Sequence, residues 1–187
     1  MMNALKGKSL ATRGTRPWLY LIVAAIFVVL DQLSKWLVVT YLKPQGSVTL
    51  IPNFLKLTYL ENRGAAFGSL TDARWVFMIF SVIAIVGVTA YLLCFAENKR
   101  MLRWALALVI GGGIGNMIDR VALGYVVDFI DFCGIWSYIF NVADSCVCIG
   151  MGLLVLYVIL SMREEMKEHK QAKTEKADDE PGDGGKA

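Results

Sequence analysis

The residues of this chain that can do chemistry are charged side chains set in apolar surroundings. Asp31 and Lys35 stand inside one apolar stretch, and Asp119 and Arg120 close another. Asp144 lies near the start of the last stretch, with Asp128 and Asp131 just before it and Asn116 and Asn141 among them. A charge buried in a membrane span costs about 2.5–3.5 kcal/mol on insertion scales, so such groups are functional candidates by default. Other catalytic equipment is scarce. The only histidine, His169, sits in a charged tail, which leaves none for a haem, a zinc site or a Ser-His-Asp triad. Gly111-Gly-Gly-Ile-Gly115 lies within an apolar stretch and reads as a close-packing face, not a phosphate loop. Cys94, Cys133, Cys146 and Cys148 form no C-x-x-C pair and are expected as small buried hydrophobes outside any disulfide framework.

Carboxylates remain. Two of them held close together cannot both ionise easily, so one pKa rises and the pair shares a proton. Such a pair can deprotonate a water for attack on an amide carbonyl while the protonated partner polarises that carbonyl. Asp144 is one member by depth and face. Its partner stays open among Asp128, Asp131, Asp119 and Asp31. Asp31 beside Lys35, and Asp119 beside Arg120, can be held ionised, which suits structure or binding. Asp128, flanked by Val126, Val127 and Phe129, is the more desolvated candidate.

The elements that must position these groups follow from composition. The 187 residues are 56% apolar and 19% charged, against roughly 45–50% and about 25% in average globular chains. The charge is also uneven, because residues 161–187 hold 6 of the 19 basic and 8 of the 16 acidic side chains. The remaining body is too apolar for a water-soluble or disordered chain, and it has no basic stripe for nucleic acid. Four segments, about 18–39, 75–96, 102–122 and 137–161, approach the roughly 20 residues that a membrane span needs. With four spans, 13 basic residues fall on the side of the termini and 4 on the other, which places both termini in the cytoplasm. The first apolar run follows a basic arm, residues 1–17, and lacks a small-residue cleavage site, so it is expected to be retained.

The expected fold is mainly α and integral to the membrane, with four transmembrane helices and a small β-rich extracytoplasmic subdomain in the first outer loop, residues 40–74. Val48–Ile51 and Leu55–Tyr59 predict two strands joined by a turn at Pro52-Asn53. The stretch from Gly64 to Gly68 is expected to be flexible. The charged tail, residues 162–187, is expected to start as a mixed-charge helix and end disordered.

Depth brings the candidates together. At 1.5 Å per residue, Asp31 lies about 20 Å and Lys35 about 26 Å from the inner end of the first span. On the third, Asn116 and Arg120 lie at about 21 and 27 Å, and Asp144 is about 10 Å below the outer surface. In a core about 30 Å thick these groups share the outer third. Asp31 and Lys35 are i,i+4 neighbours, Gly112, Asn116 and Arg120 form one line, and Asn141, Asp144 and Ser145 share a face. Polar contacts that merely hold helices together would not require seven ionisable groups at one level.

Five motifs carry a resemblance. They are Asp31-Gln-Leu-Ser-Lys35, Glu61-Asn-Arg-Gly-Ala-Ala-Phe67, Gly112-x-x-x-Asn116-x-x-Asp119-Arg120, Val127-Asp128-Phe129 and Phe140-Asn141-Val-Ala-Asp144-Ser145. In this order, across residues 17–160, the chain resembles lipoprotein signal peptidase (signal peptidase II), a four-span aspartic protease of the bacterial inner membrane. The resemblance implies a peptidase domain over residues 18–161 with Asp128 and Asp144 as the catalytic dyad. It implies that Asn62, Gly64, Asn116, Arg120 and Asn141 line the site and that Asp31 and Lys35 support it. The implied substrate is a prolipoprotein with a diacylglyceryl group on its lipobox cysteine, cleaved on the N-terminal side of that cysteine. No metal or organic cofactor is implied, nor any nucleic acid. A monomer among membrane lipid, blocked by globomycin-type cyclic peptides, is expected, with the site near the periplasmic face. The outer loop and residues 64–68 are expected to clamp the bound peptide. The rival reading is a small proton-coupled transporter or channel subunit, which calls for polar groups spaced right across the bilayer.

Overall fold

Long runs of Leu, Ile, Val and Ala, free of internal proline, leave the backbone of each apolar segment one low-cost way to satisfy its own hydrogen bonds in lipid, the α-helix. The computed structural model describes residues 16–63, 74–95 and 99–178. The helices are α1 (Trp18–Leu37), which runs on into a π-helical turn (Val38–Leu42), α2 (Arg74–Cys94), α3 (Arg100–Ala122) and α4 (Val142–Asp178). The strands are β1 (Ser47–Ile51) and β2 (Leu55–Asn62) between α1 and α2, then β3 (Val126–Phe132) and β4 (Ile139–Phe140) between α3 and α4. Three helical stretches among the described residues, Trp18–Leu42, Arg100–Ala122 and Val142–Gln171, are long and apolar enough to cross a membrane. Helix α2 adds the shorter apolar stretch Met78–Cys94.

Helix α3 is the centre of the bundle, and its glycines are the reason. A Cβ on Gly115 would meet Asp31 Oδ2 at 2.6 Å, one on Gly111 would meet the Ala24 carbonyl oxygen at 2.9 Å, and one on Gly112 would strike the carbonyl oxygen of Ala143. Close packing, as the glycine spacing predicts, brings α1 and α4 onto α3. Ala24, Leu92, Leu102, Leu106 and Ile110 bury themselves in the same seam. Gly112→Ala should therefore lower the thermal midpoint in detergent, by overpacking worth about 1–3 kcal/mol, because the obstacle is backbone and cannot rotate away. Gly87→Ala on α2, where nothing lies within 4 Å, should leave the midpoint unchanged or raise it, since alanine is the better helix former.

The four strands form one antiparallel sheet in the order β1-β2-β3-β4. The expected hairpin is present, with Asn53 taking a left-handed φ of 59° in its turn. The sheet is not confined to the first outer loop, however. Val126-Val-Asp-Phe-Ile-Asp-Phe132 supplies a third strand of β-branched and aromatic residues, whose two aspartates hide the apolar pattern. Register pairs Leu60 with Asp128, Glu61 with Val127 and Asn62 with Val126. The first loop is thereby laid against the strand that carries Asp128. Val127 and Phe129 pack under the sheet on Val38 and Leu42 of the π-turn.

Two further expectations are revised, the start of α4 and the burial of the cysteines. Helix α4 begins at Val142, not near 137, because Asn141 caps it and residues 139–140 pair with β3. The tail begins as the expected helix, continuous with α4 to Asp178 and rich in good helix formers such as Glu, Lys, Met, Gln and Ala, while residues 179–187 lie outside the described residues. All four cysteines are free, but only Cys146 is buried, since Cys94 and Cys148 lie on outward helix faces and Cys133 is half-buried.

Candidate active site

Helix α1 supplies three polar side chains toward its C-terminal end, and α3 supplies their partners. Lys35 Nζ lies 2.8 Å from Asp31 Oδ2 and 2.9 Å from Asp119 Oδ2, all three groups being buried. It also donates to Asn116 Oδ1 at 3.1 Å. Gln32 Nε2 donates to Asp119 Oδ1 (2.9 Å) and to the Gly115 carbonyl (3.2 Å). The two carboxylates reach further. Asp31 Oδ1 accepts from the Ala143 amide at 2.9 Å, and Asp119 Oδ2 accepts from the Val127 amide at 3.1 Å. One network thus ties α1, α3, β3 and the start of α4 together. The expected pairing of Asp119 with Arg120 does not form, because successive helical side chains diverge by about 100°. Asp119 turns to Lys35, while half-buried Arg120 donates to the Asn116 carbonyl at 3.3 Å.

Asn141 then joins this network to two further carboxylates. Its Oδ1 accepts from the Asp144 amide at 2.8 Å and its own amide donates to Asp144 Oδ2 at 3.3 Å, a reciprocal cap on α4. Its Nδ2 donates to Asp128 Oδ1 at 2.6 Å and to Asn116 Oδ1 at 3.1 Å. Asn116 Nδ2 in turn donates to Asp144 Oδ1 at 2.7 Å, and Asn62 Nδ2 donates to Asp128 Oδ2 at 2.9 Å. Lys35 therefore fixes which way Asn116 faces, and Asn116 and Asn141 together hold Asp144 and Asp128 side by side.

Asp128 is 1% exposed. Burial pushes its carboxyl from the ordinary 3.8 up to about 6, opposed by the Asn62 hydrogen bond and reinforced by the negative charge of Asp144. The sign of the consequence is definite. Between about pH 4 and pH 6 the native chain keeps a proton that the unfolded chain has released, so stability declines as pH rises through that window. In Asp128→Asn this part of the slope should vanish, as read from thermal midpoints across the same pH range.

The structure brings together Asp31, Lys35, Asn62, Asn116, Asp128, Asn141 and Asp144, with Arg120 at the margin. Gly64 lies outside the described residues. Asp131 is excluded from the site, since it turns to Thr58 (3.1 Å) and Lys56 (3.3 Å) on the sheet. Gln32 was not singled out by sequence reasoning. Its only signal is a neutral amide set between Asp31 and Lys35 in an apolar stretch.

The family profile described as Signal peptidase (SPase) II matches residues 23–160. The chain belongs to the signal peptidase II family. Among its relatives, the lipoprotein signal peptidase of Symbiobacterium thermophilum is 45% identical over 148 residues, covering 78% of this chain and 97% of the relative. That of Halalkalibacterium halodurans is 44% identical over 153 residues, covering 80% and 97%. A solved bacterial membrane enzyme superimposes with a TM-score of 0.71 at 33% identity, covering 77% of this chain and 89% of its own. The chain is therefore a membrane-embedded protease. Its matched span contains every carboxylate and asparagine of the network, whereas the N-terminal arm and the charged helical tail lie outside it.

Proposed function

We propose that this chain is an intramembrane aspartic endopeptidase that removes signal peptides from diacylglyceryl-modified prolipoproteins, cutting on the N-terminal side of the lipidated lipobox cysteine. The observation that carries the reading is the pair of carboxylates, Asp128 and Asp144, joined through Asn141 where β3 meets the start of α4. The ionised member takes a proton from water as the water oxygen attacks the scissile carbonyl carbon. The protonated member donates to the carbonyl oxygen. As the tetrahedral intermediate collapses, the C–N bond breaks and a proton passes to the leaving cysteine amine. The shared proton belongs to the pair, not to either residue.

Asn62, Asn116 and Asn141 hold the pair, Lys35 holds Asn116, Asp31 holds Lys35 and the Ala143 amide, and Arg120 offers donors to substrate backbone that lipid would leave unsatisfied. Helices α1 to α4 act as four spans of the bacterial inner membrane, both termini face the cytoplasm, and the sheet lies on the periplasmic side; the distribution of basic residues, 13 against 4, supports that orientation. The working unit is a monomer that needs no metal or organic cofactor and is blocked by globomycin-type peptides. Gly64 belongs to the substrate clamp.

The test in cells is complementation. In a strain depleted of its own lipoprotein signal peptidase, expression of this chain should restore mature lipoprotein. Accumulation of uncleaved precursor, with the chain present in the membrane, would overturn the reading.

A further inference from the structure

Successive side chains on a strand face opposite ways, so Asn62 on one face of β2 puts Glu61 on the other. Glu61 collects three donors there. Lys43 Nζ reaches its Oε1 at 3.2 Å, the Tyr59 hydroxyl donates to the same oxygen at 3.0 Å, and Arg63 Nη2 donates to Oε2 at 2.9 Å. These donors, Arg63 first, hold the Glu61 carboxyl down to about 2, so it is ionised at any working pH. Lys43 directly follows the π-turn that ends α1, and it also sits 4.9 Å above the Tyr59 ring. Arg63 lies 5.5 Å above the ring of Tyr125, immediately before β3. The carboxylate of Glu61 is thus where the end of α1, the end of β2 and the approach to β3 meet.

We propose that Glu61 is a positioning residue for the peptidase site: it anchors the last turn of chain in β2 to the outer end of α1 and thereby holds Asn62 on Asp128. The inference rests on the proposed catalytic role of Asp128. Glu61 itself touches neither catalytic carboxylate. Its ion pair with Lys43 is solvent-exposed, at 46% and 27% of the side chains, and exposed pairs add little to stability. A merely structural Glu61 would then matter hardly at all, whereas a positioning Glu61 matters to turnover. The pair Lys56–Asp131, 3.3 Å apart on the same sheet and away from Asn62, is a matched control.

The test is steady-state cleavage of a diacylglyceryl-modified precursor by the purified full-length chain. Glu61→Gln should lower kcat roughly tenfold, as expected of a slight misplacement of a catalytic group, with KM within about twofold and a thermal midpoint close to wild type. Lys56→Met should keep the wild-type kcat. In an Asn62→Ala background, adding Glu61→Gln should cost less than about twofold more, because the two act through one contact. Should Glu61→Gln not accumulate in folded form, Arg63→Gln removes one donor and should show a smaller loss of the same kind. Wild-type kcat in Glu61→Gln or, in its absence, in Arg63→Gln, an equal loss in Lys56→Met, or a full tenfold loss on top of Asn62→Ala would each overturn the inference. An inactive wild type would instead overturn the peptidase reading, and the inference with it.

Discussion

Asp128→Asn and Asp144→Asn should each slow cleavage of a lipid-modified precursor by roughly 10²–10⁴-fold, the range expected for loss of a general acid or base. Asparagine keeps the shape of aspartate but can neither take a proton from water nor hand one to a carbonyl. Each carboxylate accepts a hydrogen bond on both oxygens, Asp128 from Asn62 and Asn141, and Asp144 from Asn116 and the Asn141 amide. An amide at either position turns one of those contacts into donor against donor, so a modest fall in midpoint accompanies the loss of rate. The double variant should be no slower than the worse single one, because the two aspartates work as a unit. Asp131→Asn should cleave at the wild-type rate, since Asp131 serves Lys56 and Thr58 on the sheet. Initial rates on a purified precursor, with thermal midpoints alongside, decide the matter. An Asp144→Asn enzyme within tenfold of wild type would remove Asp144 from the mechanism.

The second large effect is on the fold. Lys35→Met should destabilise the chain by about 3–5 kcal/mol, the cost of breaking a buried charge pair from one side. Asp31 and Asp119 are 1% and 3% exposed and share Lys35 as their counter-charge. Without it, two anions face each other in a low dielectric, and Asn116 loses the donor that sets its orientation. Thermal unfolding in detergent should show a sharply lowered midpoint, and less chain should accumulate in the membrane. Adding Asp119→Asn to Lys35→Met should recover part of the loss, because one of the two uncompensated charges is then gone. A Lys35→Met midpoint equal to wild type would show that the network carries no stability.

Much of this site is legible in the sequence because helices make depth and face countable. Asp31 and Lys35, four residues apart, pair as counting predicts, and the glycines of α3 mark the helix contact. Legibility fails where partners come from different elements. Nothing local to Asp119 says that it turns to Lys35 and not to its neighbour Arg120. The strand nature of Val126–Phe132 is hidden by Asp128 and Asp131, the residues that make it interesting, and so the reach of the first outer loop onto Asp128 is hidden too. Counting puts Asn141 beside Asp144 and Ser145, but its capping of α4 and its bridging of two carboxylates emerge only where the chain turns into the helix and β3 arrives beside it. From the residues alone, Asp128 was one of four possible partners for Asp144. Tertiary contacts through Asn141 separate it from Asp31 and Asp119, which Lys35 engages, and from Asp131, which Lys56 engages.

The central claim is that Asp128 and Asp144 cut a lipid-modified precursor, and its most direct measurement is mass analysis of the products formed by the purified chain in detergent. The expected products are a mature chain whose first residue is the diacylglyceryl-cysteine and a released signal peptide, with neither species formed by Asp128→Asn. Intact precursor after incubation with the wild-type chain, or the same two products at the same rate from Asp128→Asn, would contradict it.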